Sequence, residues 1–157
     1  GVAIWDRNKQ VMRKLTWPFD GLKLSLLKTG RKLKTHEHLK TAAPLRTDAQ
    51  HEMELWVQDA VQAFALADAD RLIAAVRGVG KVLESQGLVA EHTLHALRDL
   101  ADIAGVRAAK GCGAMGADVV AVLHEASALP ALEDLCREHG FSRDETRHWT
   151  SAVRIEL

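Results

Sequence analysis

The sequence predicts an α+β fold: a split β-α-β sheet, mostly antiparallel, with extra helices in the first crossover. Three observations predict it. Short runs of strand character stand at residues 2–5, 22–27, 106–109, 119–123 and 152–157. Helical patterns fill the long interval between the second and third runs, and one more lies between the fourth and fifth. A glycine loop joins the third run to the fourth, as in a hairpin. Helices on one face of the sheet are the expected arrangement, and residues 1–157 read as a single domain.

Each element has a local reason. Val2 to Trp5 is apolar enough for a short strand, and Trp17-Pro18-Phe19-Asp20-Gly21 marks a turn because Pro fixes φ and Asp-Gly suits turn geometry. Leu22 to Leu27 alternates apolar and polar, the strand period, and Thr29-Gly30 ends it. Thr35 can cap a short helix to Ala43, which Pro44 stops. Thr47 or Asp48 can cap the next, whose apolar stripe is Met53, Trp56, Val57, Ala60, Val61 and Phe64. Ala69 to Gln86 repeats the pattern, weakened by Gly78 and Gly80 and closed by Gly87. Leu88 to Ala104 is a third amphipathic helix, closed by Gly105. Val106–Ala109 and Val119–Leu123 flank the glycine loop, Leu129 to His139 is a helix ending at Gly140, and Ala152 to Leu157 alternates as a last strand.

Composition narrows the function classes. Hydrophobic residues make up 47% of the chain and the formal net charge is zero, so the basic footprint of a nucleic-acid binder is missing. No apolar stretch is long enough to span a bilayer and no signal peptide is visible, so no membrane partner is expected. Two cysteines, Cys112 and Cys136, form no disulfide framework, which makes a cytoplasmic location the default. A strand at the very start, with no Met and no lead-in, is expected of a fragment or a processed product.

The most informative run is Lys110-Gly111-Cys112-Gly113-Ala114-Met115-Gly116-Ala117-Asp118. Its glycines let backbone approach a ligand closely. Gly111, Gly113 and Gly116 satisfy G-x-G-x-x-G, but a dinucleotide site needs a helix after the loop and more parallel sheet downstream, where this chain has a Val-rich strand. A P-loop needs Lys-Ser/Thr after its last glycine, and Gly116 is followed by Ala117-Asp118. A glycine hairpin with no ligand stays open as a reading. Against it, the loop exceeds a tight turn, and Lys110 beside exposed amides suits an anion. Asp118 would repel that anion unless a cation, a hydroxyl or an amide engages it.

This run, followed by an apolar strand, resembles the third motif of the GHMP kinases, the superfamily of galactokinase, homoserine kinase, mevalonate kinase and phosphomevalonate kinase. The segment Lys28 to Thr35 is similar to an early strand end in the same domain, where a Thr opens a short helix. The resemblance implies a ferredoxin-like C-terminal domain, in agreement with the element order. It implies an ATP-dependent small-molecule kinase whose Mg²⁺ and ATP are bound mainly by an N-terminal domain that these residues lack; no Gly-Leu-Gly-Ser-Ser-like run occurs. On that reading Lys110, Gly111, Cys112, Gly113, Ala114, Met115, Gly116 and Asp118 border the transferred phosphate and the acceptor, Thr35 is a candidate substrate contact, and no catalytic or metal-binding residue is expected here. The partners implied are a small-molecule substrate and the chain's own N-terminal kinase domain, with room for an oligomer. A non-catalytic ferredoxin-like ligand-binding or regulatory module is the competing expectation, and a purely structural oligomerisation domain a third.

Other residues read as structural. His36 and His38 fall on different faces of a helix and lack the i, i+4 spacing of a metal pair. Cys112 has no evident His partner for covalent chemistry. Cys136, Trp56 and Phe64 read as core, whereas Trp17 and Trp149 would suit the border of an interface. Arg31, Lys32 and Lys34 form a basic cluster that reads as a solvated edge, or as a contact for a phosphorylated substrate.

Overall fold

A computed structural model describes residues 2–6, 10–31 and 45–143. The expected helix 35–43, the last strand 152–157 and the residues Thr35, His36, His38, Lys32, Lys34 and Trp149 lie outside the described residues. In chain order the strands are β1 (Val2–Asp6), β2 (Val11–Leu15), β3 (Leu22–Lys28), β4 (Val106–Cys112), β5 (Val119–Glu125) and β6 (Ser142–Arg143). The helices are α1 (Thr47–Leu66), α2 (Ala69–Ser85), α3 (Glu91–Ala101) and α4 (Leu129–His139), with 3₁₀ turns at Ala114–Gly116 and Ala126–Ala128.

Four strands form one sheet in the order β4-β5-β3-β6, every pair antiparallel. β3 lies between β5 and β6, so the crossover β3-(α1 α2 α3)-β4 is interleaved with β5-α4-β6. This is the expected split β-α-β sheet with extra helices in its first crossover, but the strand that completes it is β6 at Ser142–Arg143, where no strand was expected. β1 and β2 form a separate two-stranded sheet. β2 escaped the sequence reading because four of its five residues are exposed and leave no alternation to see.

The helices cover both faces of the sheet, not one. On one face Leu27, Val120 and Val122 pack against Ala96 and Leu100 of α3 and Leu132, Leu135 and Cys136 of α4. On the other, Leu22, Ala108 and Leu123 pack with Phe19, Ala63 of α1 and Leu72 and Ile73 of α2. The cause is in β5: Val119 to Leu123 is apolar at every position, so whichever face one helix pair leaves open still needs covering. Trp17, expected at an open border, is half-buried in this second core. Its ring meets Phe19 and Phe64 edge-on at 5.0 and 5.8 Å, and its indole N–H donates to the Leu22 carbonyl at 3.0 Å.

Two local expectations change. The N-cap of α1 is Arg46, which makes no side-chain capping bond, and Thr47 and Asp48 are already helical. The Arg46 guanidinium bonds the Asp48 carboxylate at 2.6 Å and, by that hydrogen bond first, holds its pKa below the usual Asp value. Gly78 is not a weakness of α2. A Cβ there would lie 2.2 Å from the Trp56 ring, so the glycine is the flat place on which that indole rests.

Candidate functional site

The site is built from the glycine run. β4 continues three residues past its expected end, so Lys110, Gly111 and Cys112 are strand, paired with Ala121, Val120 and Val119. The true loop is Gly113 to Asp118, and it carries a 3₁₀ turn at Ala114–Gly116. Gly113, Met115 and Gly116 have positive φ values of 85°, 55° and 57°. Two glycines answer to each other: a Cβ on Gly111 would sit 2.7 Å from the Gly116 carbonyl oxygen and 2.8 Å from its Cα. Their smallness is therefore required by the loop's own backbone crossing. Gly113 is exposed.

Side chains alternate along β4. Lys110 and Cys112 share the face that α1 and α2 cover. The Lys110 ammonium donates to the Gly111 carbonyl at 3.2 Å and lies 3.3 Å from the Cys112 sulfur. Lys110 also closes one end of an apolar groove of about 330 Å³ between the β1–β2 hairpin and the helices, floored by Trp56, Ala60 and Val76. A second groove, of about 420 Å³, runs between α2 and β4 and reaches Gly111. No described cation pairs with the Asp118 carboxylate, and among the described residues no three His, Cys, Asp or Glu gather as a metal site.

The carbonyls of the loop are bound inward, a feature the sequence reading missed. The Ala90 N–H donates to Met115 O at 2.7 Å. The Thr93 hydroxyl donates to Gly116 O at 3.0 Å, and the His92 ring nitrogen Nε2 lies 3.3 Å from Ala117 O. The Thr29 hydroxyl donates to Ala117 O and reaches Asp118 O at 3.3 Å, while the Thr29 N–H donates to Asp118 O at 3.1 Å. The same hydroxyl accepts from the Arg31 N–H at 3.1 Å. Thr29 lies inside the segment Lys28 to Thr35, in which the sequence marks Thr35, and nothing local marks Thr93.

No protein-family profile matches the chain, and comparison with curated proteins finds no match. Solved structures do match. The chain is similar to Streptococcus pneumoniae phosphomevalonate kinase in complex with phosphomevalonate and AMPPNP, with a TM-score of 0.71, 14% identity, and coverage of 85% of this chain and 41% of that one. It is similar to L. major mevalonate kinase in complex with R-mevalonate, with a TM-score of 0.68, 13% identity and coverage of 85% and 44%. Over about 85% of its length the chain shares its fold with these kinases. Homoserine kinase from Cytophaga hutchinsonii matches as well, with a TM-score of 0.62, 10% identity and coverage of 88% and 44%. At these identities the likeness to GHMP kinases is one of fold, and the chain spans less than half the length of each neighbour. No described helix is long and apolar enough to cross a membrane.

Proposed function

We propose that the chain is the C-terminal, acceptor-side domain of an ATP-dependent small-molecule kinase, of the mevalonate- or phosphomevalonate-kinase kind, with a sugar kinase the next branch. The γ-phosphate of ATP would pass to an alcohol or a phosphate. The observation that carries this reading is the β4–β5 glycine hairpin: a loop with its carbonyls bound inward and an ammonium at its entry, on the sheet that mevalonate and phosphomevalonate kinases share. Phosphoryl transfer depends on positioning and charge stabilisation, which a fixed backbone loop can supply. Lys110 fits a phosphate oxygen, and Asp118 fits a hydroxyl or a cation better than a phosphate. ATP and Mg²⁺ would be held mainly by an N-terminal kinase domain, the partner of this one, in a cytoplasmic enzyme. Residues 1–157 alone would transfer no phosphate.

One observation favours the second reading, a ligand-binding module without catalysis. Gly111 and Gly116 are explained by their mutual contact and need no ligand. Calorimetric titration with phosphomevalonate, mevalonate and a set of amino acids, run beside an assay of ADP release, separates the two. The kinase reading expects saturable binding of phosphomevalonate or mevalonate and ADP release only when the N-terminal domain is present. Rapid ADP release by the 157 residues alone would refute the half-enzyme. Binding of an amino acid with neither acceptor bound would favour the module.

A further inference from the structure

The loop at Gly113–Asp118 is held by two elements that are far from it in sequence. Thr29 stands at the end of β3, 88 residues before the carbonyl it binds. Thr93 is in the first turn of α3. Both side chains are buried, Thr29 at 4% exposure and Thr93 at 0%. Both spend their hydroxyl proton on a loop carbonyl, and neither completes a helix cap or a strand ladder by doing so. In a trans peptide the N–H points opposite to its own C=O, so binding the carbonyls of Gly116 and Ala117 on one side turns the next N–H groups to the other, where Ala117 bridges Cys112 of β4. The turn that results holds Met115 at a φ that side-chain-bearing residues rarely adopt. A backbone conformation of that kind persists when its surroundings over-determine it.

We propose that Thr29 and Thr93 are positioning residues of the glycine loop. Their buried hydroxyls fix the carbonyls of Gly116, Ala117 and Asp118, and so set the face that the loop and Lys110 present to a phosphate-bearing ligand. The proposal rests on the kinase reading for its catalytic consequence, and on geometry alone for the clamp. Ala90 and His92 add two more bonds from the same turn of α3, so the loop moves with the start of that helix and with the end of β3.

The test uses the protein with its N-terminal kinase domain present, carrying Thr29→Val and Thr93→Val, which remove each hydroxyl at nearly constant shape, or Thr29→Ser and Thr93→Ser, which keep it. Backbone hydrogen exchange reads the clamp. The Val variants are expected to exchange the amides of residues 113–118 at least tenfold faster while β5 exchanges as before, and the Ser variants to restore protection. Steady-state kinetics with ATP and mevalonate or phosphomevalonate reads the positioning. The Val variants are expected to lower kcat tenfold or more with KM within about twofold, and Ser to recover most of it. Unchanged exchange in both Val variants overturns the clamp. Faster exchange with kcat within twofold of the parent overturns the positioning role and leaves the kinase reading intact. A parent protein that carries the N-terminal domain and still shows no phosphotransfer overturns the kinase reading, and exchange still decides the clamp. Should Thr93→Val not fold, the Thr29 pair carries the same comparison.

Discussion

Among the described residues two antiparallel strand pairs, β4–β5 and β1–β2, are held in opposite ways. Between β4 and β5 the chain makes a loop whose carbonyls are bound by β3 and α3, with Ala117 and Thr93 at 0% exposure. Among the described residues β1 and β2 pair only with each other, and Trp5 and Met12 stand 57% and 56% exposed. The first is apolar on both faces and enclosed. The second is comparably apolar and open, so hydrophobic content does not separate them. What separates them is small residues: glycines that let backbones touch, and threonines whose hydroxyls reach across.

The largest effect should come from the contact between glycines. Gly111→Ala places a methyl against backbone atoms of Gly116 that no rotamer change can move. It should destabilise the protein by about 3 kcal/mol in denaturant titration. A loss under about 1 kcal/mol would mean that the crossing has slack, and the loop would then be no more constrained than the open hairpin. Next is Gly78→Ala, where the obstacle is the Trp56 ring, a side chain able to shift. A loss of about 2 kcal/mol is expected. Adding Trp56→Ala should cancel most of the additional penalty in a double-mutant cycle, since the two residues share one contact. Additive losses would show that the glycine serves another neighbour.

The sheet was legible because its determinants are local. Leu22 to Leu27 alternates, Val119 to Leu123 is continuously apolar, and both are strands of the same ladder. The end of β4 was not legible, since Lys110-Gly111-Cys112 has the composition of a loop and becomes strand only through pairing with β5. Gly78 looked like a defect because its reason, Trp56, is on another helix. The clamp was the least legible part. A Thr in the first turn of a helix looks like any other, and the Thr93 partner is 23 residues away. The residue types of the glycine run pointed to the candidate site, whereas the groups that shape it depend on long-range approach.

Met115 sharpens the comparison from the side of strain. Its φ of 55° is left-handed, as is the 50° of Gln10 just before β2, and the Met115 carbonyl is bound from outside the hairpin by the Ala90 N–H. Met115→Gly relieves a cost of about 1 kcal/mol for a side chain in that region. Part of the gain is returned because glycine also frees the unfolded chain. A net stabilisation below about 1 kcal/mol is expected, read as a rise in Cm with little change in m. Destabilisation would show that the Met115 side chain contributes contacts exceeding its strain.

The smallest effect belongs to the open hairpin. Met12→Ser removes an apolar side chain that is already in water, so folding stability should change by about 0.5 kcal/mol or less. The contrast with Gly111→Ala is then roughly sixfold in energy for two substitutions that each alter a handful of atoms. If Met12→Ser instead costs more than about 1 kcal/mol, the hairpin is covered by something in solution, since a residue this exposed has little local contact to lose. Comparing the unfolding midpoint of Met12→Ser at two protein concentrations decides what covers it. A concentration-dependent midpoint identifies a second copy of the chain, because association contributes to apparent stability by mass action.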